Sequence, residues 1–545
     1  MYFRKILTAA LFAGMILSAQ PDPRFDPFDW VLYRDTGAIC SISEGPNFTY
    51  LGTTTGGVWR YNNYGRNLAE PLTTAQGLPD NSVSAIHLDR DTGILWVAGP
   101  GYLSYSYNRE GDWYTIDFDD LGLTRQAVIR QIGSSRDYIW CRTDLLFVKC
   151  DHSSGILLGQ MLNPDDPEIN WSSAEINAVE FGSDYLGDYQ LAGNWNIFGD
   201  GLLNPQGQDL AITTRYAGRW SDYWVGSSQR VVFHADPQIK ILDPLTLGLN
   251  NIDIQFILDK RGFWVGGRSV SPERNGLSFV DPGRNIYKHF DFAYNANMMP
   301  QALFAALDTG TELWFGGESQ VLVYNYKSDF WRTLTELDGV PSGWVVALAQ
   351  DTTRVWLGAT RGLARITKKT KQPAPAGIEK YYNEQFIYAL EQDQSGLWIG
   401  SDFSLRYYNQ STNSLSDFKR VGDASRLGAA IDNYRYFTAL TVFRKRLFVA
   451  SAEGVISYDF KTGLWQPLLN PTLFSDETIR KMAVDDDYFW LLSARTLWRV
   501  DRGDNTVRIY NYDFMGILND LYINGDEIWL GTSEGLIKFN WWSDL

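Results

Sequence analysis

Short stretches in which apolar and polar residues alternate follow one another along almost the whole chain, separated by glycine and aspartate. An apolar stretch such as Val345–Leu348 is followed by an acidic or glycine turn, a second apolar stretch with a tryptophan, and an alternating stretch rich in aromatic residues. Runs of β-branched and aromatic residues bounded by such turns are typical of strands. No stretch after residue 19 keeps a helical period. The pattern predicts an all-β protein.

This order of stretches repeats at a nearly fixed distance. Trp314, Trp356 and Trp398 are each 42 residues apart, and weaker copies extend the series in both directions. One degenerate copy is expected near Tyr185 to Trp195. A repeat of roughly 40–50 residues with four strands is the size of a β-propeller blade. We therefore predict a tandem β-propeller of about twelve four-stranded blades, in two rings of six or seven.

The repeated tryptophan is interpreted as a packing residue. A side chain that recurs on the second strand of most copies serves a purpose that all blades share. A large indole can fill the wedge between neighbouring sheets, where aromatic burial is most stabilising. The pattern predicts equivalent buried positions for Trp96, Trp314, Trp356, Trp398 and Trp529.

The two ends of the chain suggest how one ring closes. The segment FDWVLYRD from Phe28 resembles a fourth strand with no blade before it, and the chain ends with a third strand in LIKFNWWSDL. A strand within residues 28–35 could complete the last blade and leave no free sheet edge. We place the first propeller approximately at residues 20–290 and the second at 291–545. One ring is then inserted in the other, or each ring closes alone.

Residues 1–19 have the composition of a secretory signal peptide. Arg4 and Lys5 precede the apolar stretch Ile6 to Leu17, and Ala19 is a small residue suited to cleavage. A retained anchor is the alternative. No later run is long and apolar enough to span a bilayer. We expect a periplasmic or secreted protein without a membrane span.

Charge and cysteine content narrow the possible partners. The net charge is −16, and nucleic-acid binding requires a basic footprint, so nucleic acid is not an expected partner. The three cysteines, Cys40, Cys141 and Cys150, are odd in number for an oxidising compartment. Cys141 and Cys150 flank a predicted hairpin turn, but its register would pair Cys150 with a residue nearer Asp137 than Cys141. We expect free, buried thiols.

The residues do not indicate a catalytic centre. The four histidines are scattered, and none forms a pair with metal-ligand spacing: His87, His152, His234 and His289. We assign no catalytic residue, no metal and no cofactor. Carboxylates from different blades could still meet in space, and the sequence leaves that possibility open.

Several segments carry a resemblance to a known repeat. TTAQGLPDNSVSAI from Thr73 and LDGVPSGWVVAL from Leu337 share a loop and the first strand after it, and GSDFSLRYYN, GTSEGLIKFN and ASAEGVISYDF share the later part. The chain resembles the two-component regulator propeller repeat family over nearly its whole length after the leader. The resemblance implies a propeller fold and, in many members, a periplasmic sensor domain that often recognises oligosaccharides. The sequence shows no kinase part, so we expect a stand-alone exported propeller.

One edge of the rings is the expected binding face. In a four-stranded meander, the turns after second strands and the links to the next blade share one edge, and binding usually resides in such loops. Trp344 lies at the start of a first strand on this edge, and five arginines follow second strands: Arg142, Arg230, Arg268, Arg361 and Arg495. Arginine in an acidic protein can receive glycan carboxylates or sulfates. The alternative is that these arginines cap turns or pair with local acids.

We therefore expect an exported, non-catalytic β-propeller that binds an oligosaccharide or an envelope protein. One alternative is a secretion-system accessory, because the type IX system's lipopolysaccharide-delivery protein is similar in its tandem propellers. The other is a propeller polysaccharide lyase or hydrolase. Carboxylate or histidine clusters at a ring mouth would favour an enzyme, whereas arginine and aromatic residues would favour binding.

Overall fold

The computed structural model describes residues 25–544 except 174–185, 187–188, 199–200, 219–222, 237, 270–274, 296–297, 300 and 475–476. The predicted signal peptide at residues 1–19 lies outside the described residues. The described part is an all-β tandem propeller, which confirms the predicted fold class.

The chain starts with the single strand β1 (Trp30–Tyr33), and the first sheets follow it. The first three meanders consist of β2 (Ile39–Glu44), β3 (Phe48–Thr53), β4 (Val58–Asn62) and β5 (Asn67–Leu72); β6 (Ala85–Leu88), β7 (Leu95–Gly99), β8 (Tyr102–Ser106) and β9 (Tyr114–Asp117); and β10 (Ile129–Ser134), β11 (Tyr138–Thr143), β12 (Phe147–Asp151) and β13 (Leu157–Met161). The next strands are β14 (Asn170–Trp171), β15 (Gln190–Leu191), β16 (Asn196–Phe198), β17 (Gly201–Leu203), β18 (Asp209–Ala217), β19 (Tyr223–Ser227), β20 (Val231–Asp236) and β21 (Ile241–Thr246). β14 pairs with β10, and β15 to β21 form one sheet.

Seven further sheets complete the chain. Their strands are β22 (Asp253–Asp259), β23 (Phe263–Arg268), β24 (Gly276–Asp281) and β25 (Ile286–Asp291); β26 (Leu303–Asp308), β27 (Leu313–Gly317), β28 (Val321–Asn325) and β29 (Phe330–Leu334); β30 (Val345–Gln350), β31 (Arg354–Ala359) and β32 (Gly362–Thr367); β33 (Ile387–Gln392), β34 (Gly396–Ser401), β35 (Leu405–Asn409) and β36 (Ser414–Asp417); β37 (Ala439–Phe443), β38 (Arg446–Ser451), β39 (Gly454–Asp459) and β40 (Leu464–Leu469); β41 (Lys481–Val484), β42 (Tyr488–Leu492), β43 (Leu497–Asp501) and β44 (Val507–Tyr510); and β45 (Leu518–Asn524), β46 (Glu527–Thr532) and β47 (Gly535–Asn540).

Short 3-10 helices connect or flank the sheets. They span Thr74–Gln76, Pro282–Arg284, Phe292–Tyr294, Glu336–Asp338, Glu379–Tyr381, Phe418–Arg420, Ser425–Asp432, Pro471–Phe474, Asp513–Met515 and Trp541–Asp544. In the described part of the chain, no helix is long and apolar enough to cross a membrane.

The first strands of the last seven sheets contact one another in chain order, and β45 returns to contact β22. These sheets therefore form a closed group, the seven-sheet ring. In the preceding part, β2 contacts β6, β6 contacts β10, and β18 contacts β2. We call residues 39–246 the inserted unit, because they lie between β1 and β22. From these contacts we infer a division of the chain near residue 250, closer to the start than the expected 290.

The strand β1 belongs to the last sheet of the seven-sheet ring. It pairs antiparallel with β47, with Trp30 opposite Phe539 and Tyr33 opposite Leu536. Trp30 is fully buried and stacks on Phe539 with ring centroids 3.7 Å apart. The Gln76 side chain of the inserted unit donates to the Trp30 carbonyl at 2.6 Å. An N-terminal strand thus supplies the outer edge of the C-terminal sheet, the pairing that the isolated strand near Phe28 suggested.

The repeated tryptophans occupy the positions expected of them. They lie on the second strands β7, β27, β31, β34 and β46, and none is more than 3% exposed: Trp96, Trp314, Trp356, Trp398 and Trp529. The described residues form eleven sheets, against about twelve predicted blades. The degenerate copy expected near Tyr185 to Trp195 falls partly outside the described residues. Cys40, Cys141 and Cys150 are buried thiols that form no disulfide within the described residues, as predicted.

Candidate functional site

Trp344 is presented at one edge of the seven-sheet ring by a backbone that is fixed on two sides. Its amide donates to the Thr360 hydroxyl at 3.1 Å, and its carbonyl accepts from the Thr360 amide at 3.0 Å. On the other side it forms an isolated β-bridge with Glu318 of the preceding sheet. The indole is 44% exposed, unlike the tryptophans on second strands. Such an exposed indole on a fixed backbone is suited to contact a ligand.

Two neighbouring sheets contribute the partners of this indole. The Trp344 ring stacks on Phe304 of β26, with centroids 5.1 Å apart and planes 20° apart. The Arg268 guanidinium, at the end of β23, lies 5.6 Å from the centroids of both rings. Three consecutive sheets thus bring one cation and two aromatic rings together. A cation–π contact at a partly exposed site contributes about 0.5–1 kcal/mol.

Arg361 extends this group on the side of Gly343. A Cβ atom added to Gly343 would lie 3.6 Å from the Arg361 Cγ, so the two residues are neighbours. The Arg361 Nε lies 4.0 Å from a Glu384 carboxylate oxygen, and both side chains are mostly exposed. An exposed ion pair at this distance contributes little to stability, so the Arg361 side chain is able to bind another anion. We call Arg268, Phe304, Trp344 and Arg361 the mouth cluster.

Asp253, the carboxylate next to Arg268, also accepts hydrogen bonds from other side chains. Asp253 lies 3.7 Å from the Arg268 Nε. Its other oxygen accepts from the side-chain amides of Gln255 at 2.7 Å and Asn519 at 2.8 Å. Asp253 therefore orients Arg268 without neutralising it in a close, bidentate pair.

A second aromatic pair continues the edge in the next sheet. Phe386 and Tyr388 stack with centroids 4.2 Å apart, and the Tyr388 hydroxyl donates to Asp402 at 2.6 Å. Burial, followed by this hydrogen bond, raises the pKa of Tyr388 above its ordinary value. Phe403, in the turn between β34 and β35, and Tyr436, in the link before β37, are also exposed. Aromatic surface is thus available beyond the mouth cluster.

The centre of the seven-sheet ring is narrow. Residues of its first strands line a cavity of about 170 Å³, which includes Tyr388, Lys481 and Asp520. The Lys481 Nζ lies 3.5 Å from an Asp520 carboxylate oxygen. Ligand pockets usually enclose roughly 300–1,000 Å³. A cavity of this volume is too small to enclose an oligosaccharide.

The remaining arginines of the expected site are not part of this cluster. Arg230 is buried, with Asp291 at 3.3 Å and Asp35 at 3.6 Å, so it stabilises the junction of the inserted unit and the seven-sheet ring. Arg142 is exposed on β11 of the inserted unit, and Arg495 is exposed in the turn between β42 and β43. Local sequence could not distinguish Arg230 from Arg268, because the acidic partners of Arg230 come from distant segments of the chain.

Sequence reasoning missed Phe304. Phe304 is the second residue of the first strand β26. The equivalent residues of the next two sheets are Val346 in β30 and Tyr388 in β33, so an aromatic residue at this position was the signal that could have identified it. That position is recognisable only after the strands are aligned. Within the described residues, no group of three or more histidine, cysteine, aspartate or glutamate side chains could hold a metal ion.

Outside the mouth cluster, the buried His87 makes the stability of the protein depend on pH. It is buried on β6, and its Nε2 lies 2.9 Å from the Ser134 hydroxyl. Burial lowers its pKa to about 4, against a smaller opposing effect of Asp89. As pH falls, the unfolded chain therefore binds a proton first. The free energy of unfolding is therefore unaffected by His87 protonation above about pH 6.5, and it decreases as the pH falls below that value.

We expect the wild type to lose about 2 kcal/mol more of its unfolding free energy than His87→Gln between pH 7 and pH 5. Denaturant titrations at each pH measure the difference. Comparing the two proteins cancels the other titrating groups, Asp89 and Arg90 included. Parallel pH profiles would show that His87 is not held neutral.

No protein-family model matches the chain, and no curated protein matches it either. Solved structures are similar to it at low identity. One is the extracellular domain of a B. thetaiotaomicron protein described as a one component system, with 15% identity and a TM-score of 0.42, covering 92% of this chain and 70% of that chain. Another, from a B. thetaiotaomicron hybrid two component system, has 13% identity and a TM-score of 0.42, covering 92% and 68%.

A third similar structure is PorZ, a bacterial surface component of the type-IX secretion system of Porphyromonas gingivalis. It has 11% identity and a TM-score of 0.35, and the match covers 94% of this chain and 87% of PorZ. At these values the similarities concern architecture and imply nothing about a ligand of this chain.

Proposed function

We propose that the protein is an exported, non-catalytic propeller that binds an acidic oligosaccharide at the mouth cluster. The observation that carries the proposal is the Arg268 guanidinium over the stacked rings of Phe304 and Trp344. A sugar ring can lie on the exposed indole, while a carboxylate or sulfate reaches the adjacent guanidinium. The cluster places positive charge at an exposed edge of a protein whose net charge is −16.

Two features of the cluster support recognition of an anion. Arg361 lies in the same sheet as Trp344 and Arg268 lies two sheets earlier. Among the described residues, the carboxylate partners of the two arginines are distant, at 3.7 Å for Arg268 and 4.0 Å for Arg361. Charge-assisted hydrogen bonds to a ligand would be shorter and stronger than these pairs. The backbone bonds of Trp344 keep the indole in place before binding, which reduces the entropy that binding would cost.

A glycan array followed by titration calorimetry tests the proposal. We expect glycans with uronate or sulfate groups to bind and their neutral counterparts to bind more weakly. Arg268→Gln should weaken binding by about tenfold or more, because a hydrogen bond to a charged group contributes roughly 1.5–3 kcal/mol. Trp344→Ala should also weaken binding, because it removes the aromatic surface under the sugar ring. Binding should also weaken as salt is raised, since the cluster is exposed.

Trp542→Ala and Arg495→Ala are matched controls, because both side chains are exposed and lie outside the mouth cluster. Neither should change affinity. Equal binding by the wild type and the two cluster variants would reject the site. Recovery of shortened or unsaturated fragments from a bound glycan would replace the proposal with a lyase or a hydrolase.

A further inference from the structure

A second cavity lies between the seven-sheet ring and the inserted unit. It encloses about 430 Å³, within the range of pockets that hold small ligands. Its walls come from β1, β5, β23 and the last sheet of the ring, so both units and the closing strand contribute. It is separate from the mouth cluster, and none of the four cluster residues lines it.

Two buried phenols line this cavity. Tyr33 is 3% exposed and Tyr287 is 9% exposed. In the part of the chain that the structure describes, neither hydroxyl has a hydrogen-bond partner. A buried tyrosine hydroxyl usually finds one. Asn285 also lines the cavity. The two phenol hydroxyls require a hydrogen-bonding occupant, whether water or a ligand.

The carboxylates around the cavity are unequally paired. Glu70 lies 3.5 Å from the Lys538 Nζ, and Asp281 lies 3.6 Å from the Arg284 Nε. Glu527 accepts from the Trp529 indole at 3.1 Å, and no lysine or arginine among the described residues lies within ion-pair distance of it. The two ion pairs are neutral overall, so Glu527 leaves the region around the cavity with a net charge of −1.

The phenols and the carboxylates converge. Burial raises the pKa of Tyr33 well above its ordinary value, and the nearby Tyr287, Glu70 and Glu527 raise it further. The same group of side chains thus offers one excess negative charge and two hydroxyls. Aromatic surface completes the walls, since Trp529 packs 4.5 Å from Phe263.

We propose that this cavity binds a hydroxylated amine of about monosaccharide size, with its ammonium group at Glu527 and its hydroxyls at Tyr33 and Tyr287. An ammonium donor neutralises the excess carboxylate and forms a charge-assisted hydrogen bond with it. The ligand's hydroxyls form hydrogen bonds with the two phenols. An anionic ligand would be repelled by Glu527, so the site differs in chemistry from the mouth cluster.

Titration calorimetry of the full chain with glucosamine and with glucose tests the assignment, at a mildly acidic pH that keeps the amine protonated. The two sugars differ only in the amino group. We expect glucosamine to bind and glucose to bind at least about tenfold more weakly. Glu527→Gln should reduce glucosamine to the affinity of glucose, and Tyr287→Phe should weaken both sugars.

Glu336→Gln is the matched control, because it makes the same charge change on an exposed 3-10 helix. Neither it nor Trp344→Ala should alter glucosamine binding, and the latter separates this site from the mouth cluster. Tyr287→Phe removes only a hydroxyl and keeps the test valid if Glu527→Gln folds poorly. Absence of glucosamine binding, equal affinity for both sugars, or equal binding by Glu527→Gln and Glu336→Gln would overturn the proposal.

Discussion

Replacing Trp30 with alanine should open the seven-sheet ring and lower its unfolding free energy by about 3–5 kcal/mol. Trp30 is the first residue of β1 and is fully buried. It stacks on Phe539 at 3.7 Å and contacts Tyr512 and Phe514 edge-on, at 5.5 and 5.7 Å. Its loss removes the contacts that hold β1 on β47, and β47 becomes an unprotected sheet edge.

Hydrogen exchange measures where the damage occurs. Because β1 is the outer strand of the last sheet, protection should fall first in β46 and β47, near Trp529 and Ile537. Trp542→Ala is the matched control, since the Trp542 indole is 60% exposed. The free energy of unfolding of this variant should differ from that of the wild type by no more than about 0.5 kcal/mol. Unchanged protection of β47 in Trp30→Ala would mean that β1 does not close the ring.

Replacing Asp544 with asparagine should have an effect of similar size, about 3–5 kcal/mol. Asp544 is buried next to the last residue of the chain, and its carboxylate lies 3.2 Å from the guanidinium groups of both Arg499 and Arg508. The Tyr510 hydroxyl also donates to it. Only 3% of the Arg499 side chain is exposed, so the substitution leaves a buried guanidinium without its counter-ion.

Denaturant unfolding measures the cost of Asp544→Asn. Asp526→Asn, an exposed carboxylate in the turn before β46, should cost less than about 0.5 kcal/mol. In the double variant Asp544→Asn with Arg499→Met, the cost should be less than the sum of the single variants, because the unpaired charge is removed. Additive costs would show that the two residues do not act as a buried pair.

The blade register could be predicted because every blade solves the same packing problem. Trp356 and Trp398 lie on second strands and are buried, as their spacing indicated. The grouping of blades into rings was harder, because it depends on which first strands touch. The sheet that starts at Asp253 resembles its neighbours in sequence on both sides, and its contacts with β26 on one side and β45 on the other assign it to the seven-sheet ring.

The candidate site was predictable in part. Meander geometry placed Trp344 and Arg268 on one edge, and the structure brings them within 5.6 Å of each other across an intervening sheet. The sequence did not indicate that Phe304 would lie between them. Arg230 fits the same local pattern, but Asp35 and Asp291 reach it from separate segments and bury it. Pairing between distant segments is a tertiary property that a local pattern does not contain.

A crystal structure of the protein with the acidic glycan that binds most tightly would show whether the mouth cluster is the binding site. We expect a sugar ring against the exposed face of Trp344, with a carboxylate or sulfate within hydrogen-bond distance of Arg268 or Arg361. Glycan bound elsewhere on the protein, with Trp344 uncovered at saturation, would contradict this expectation.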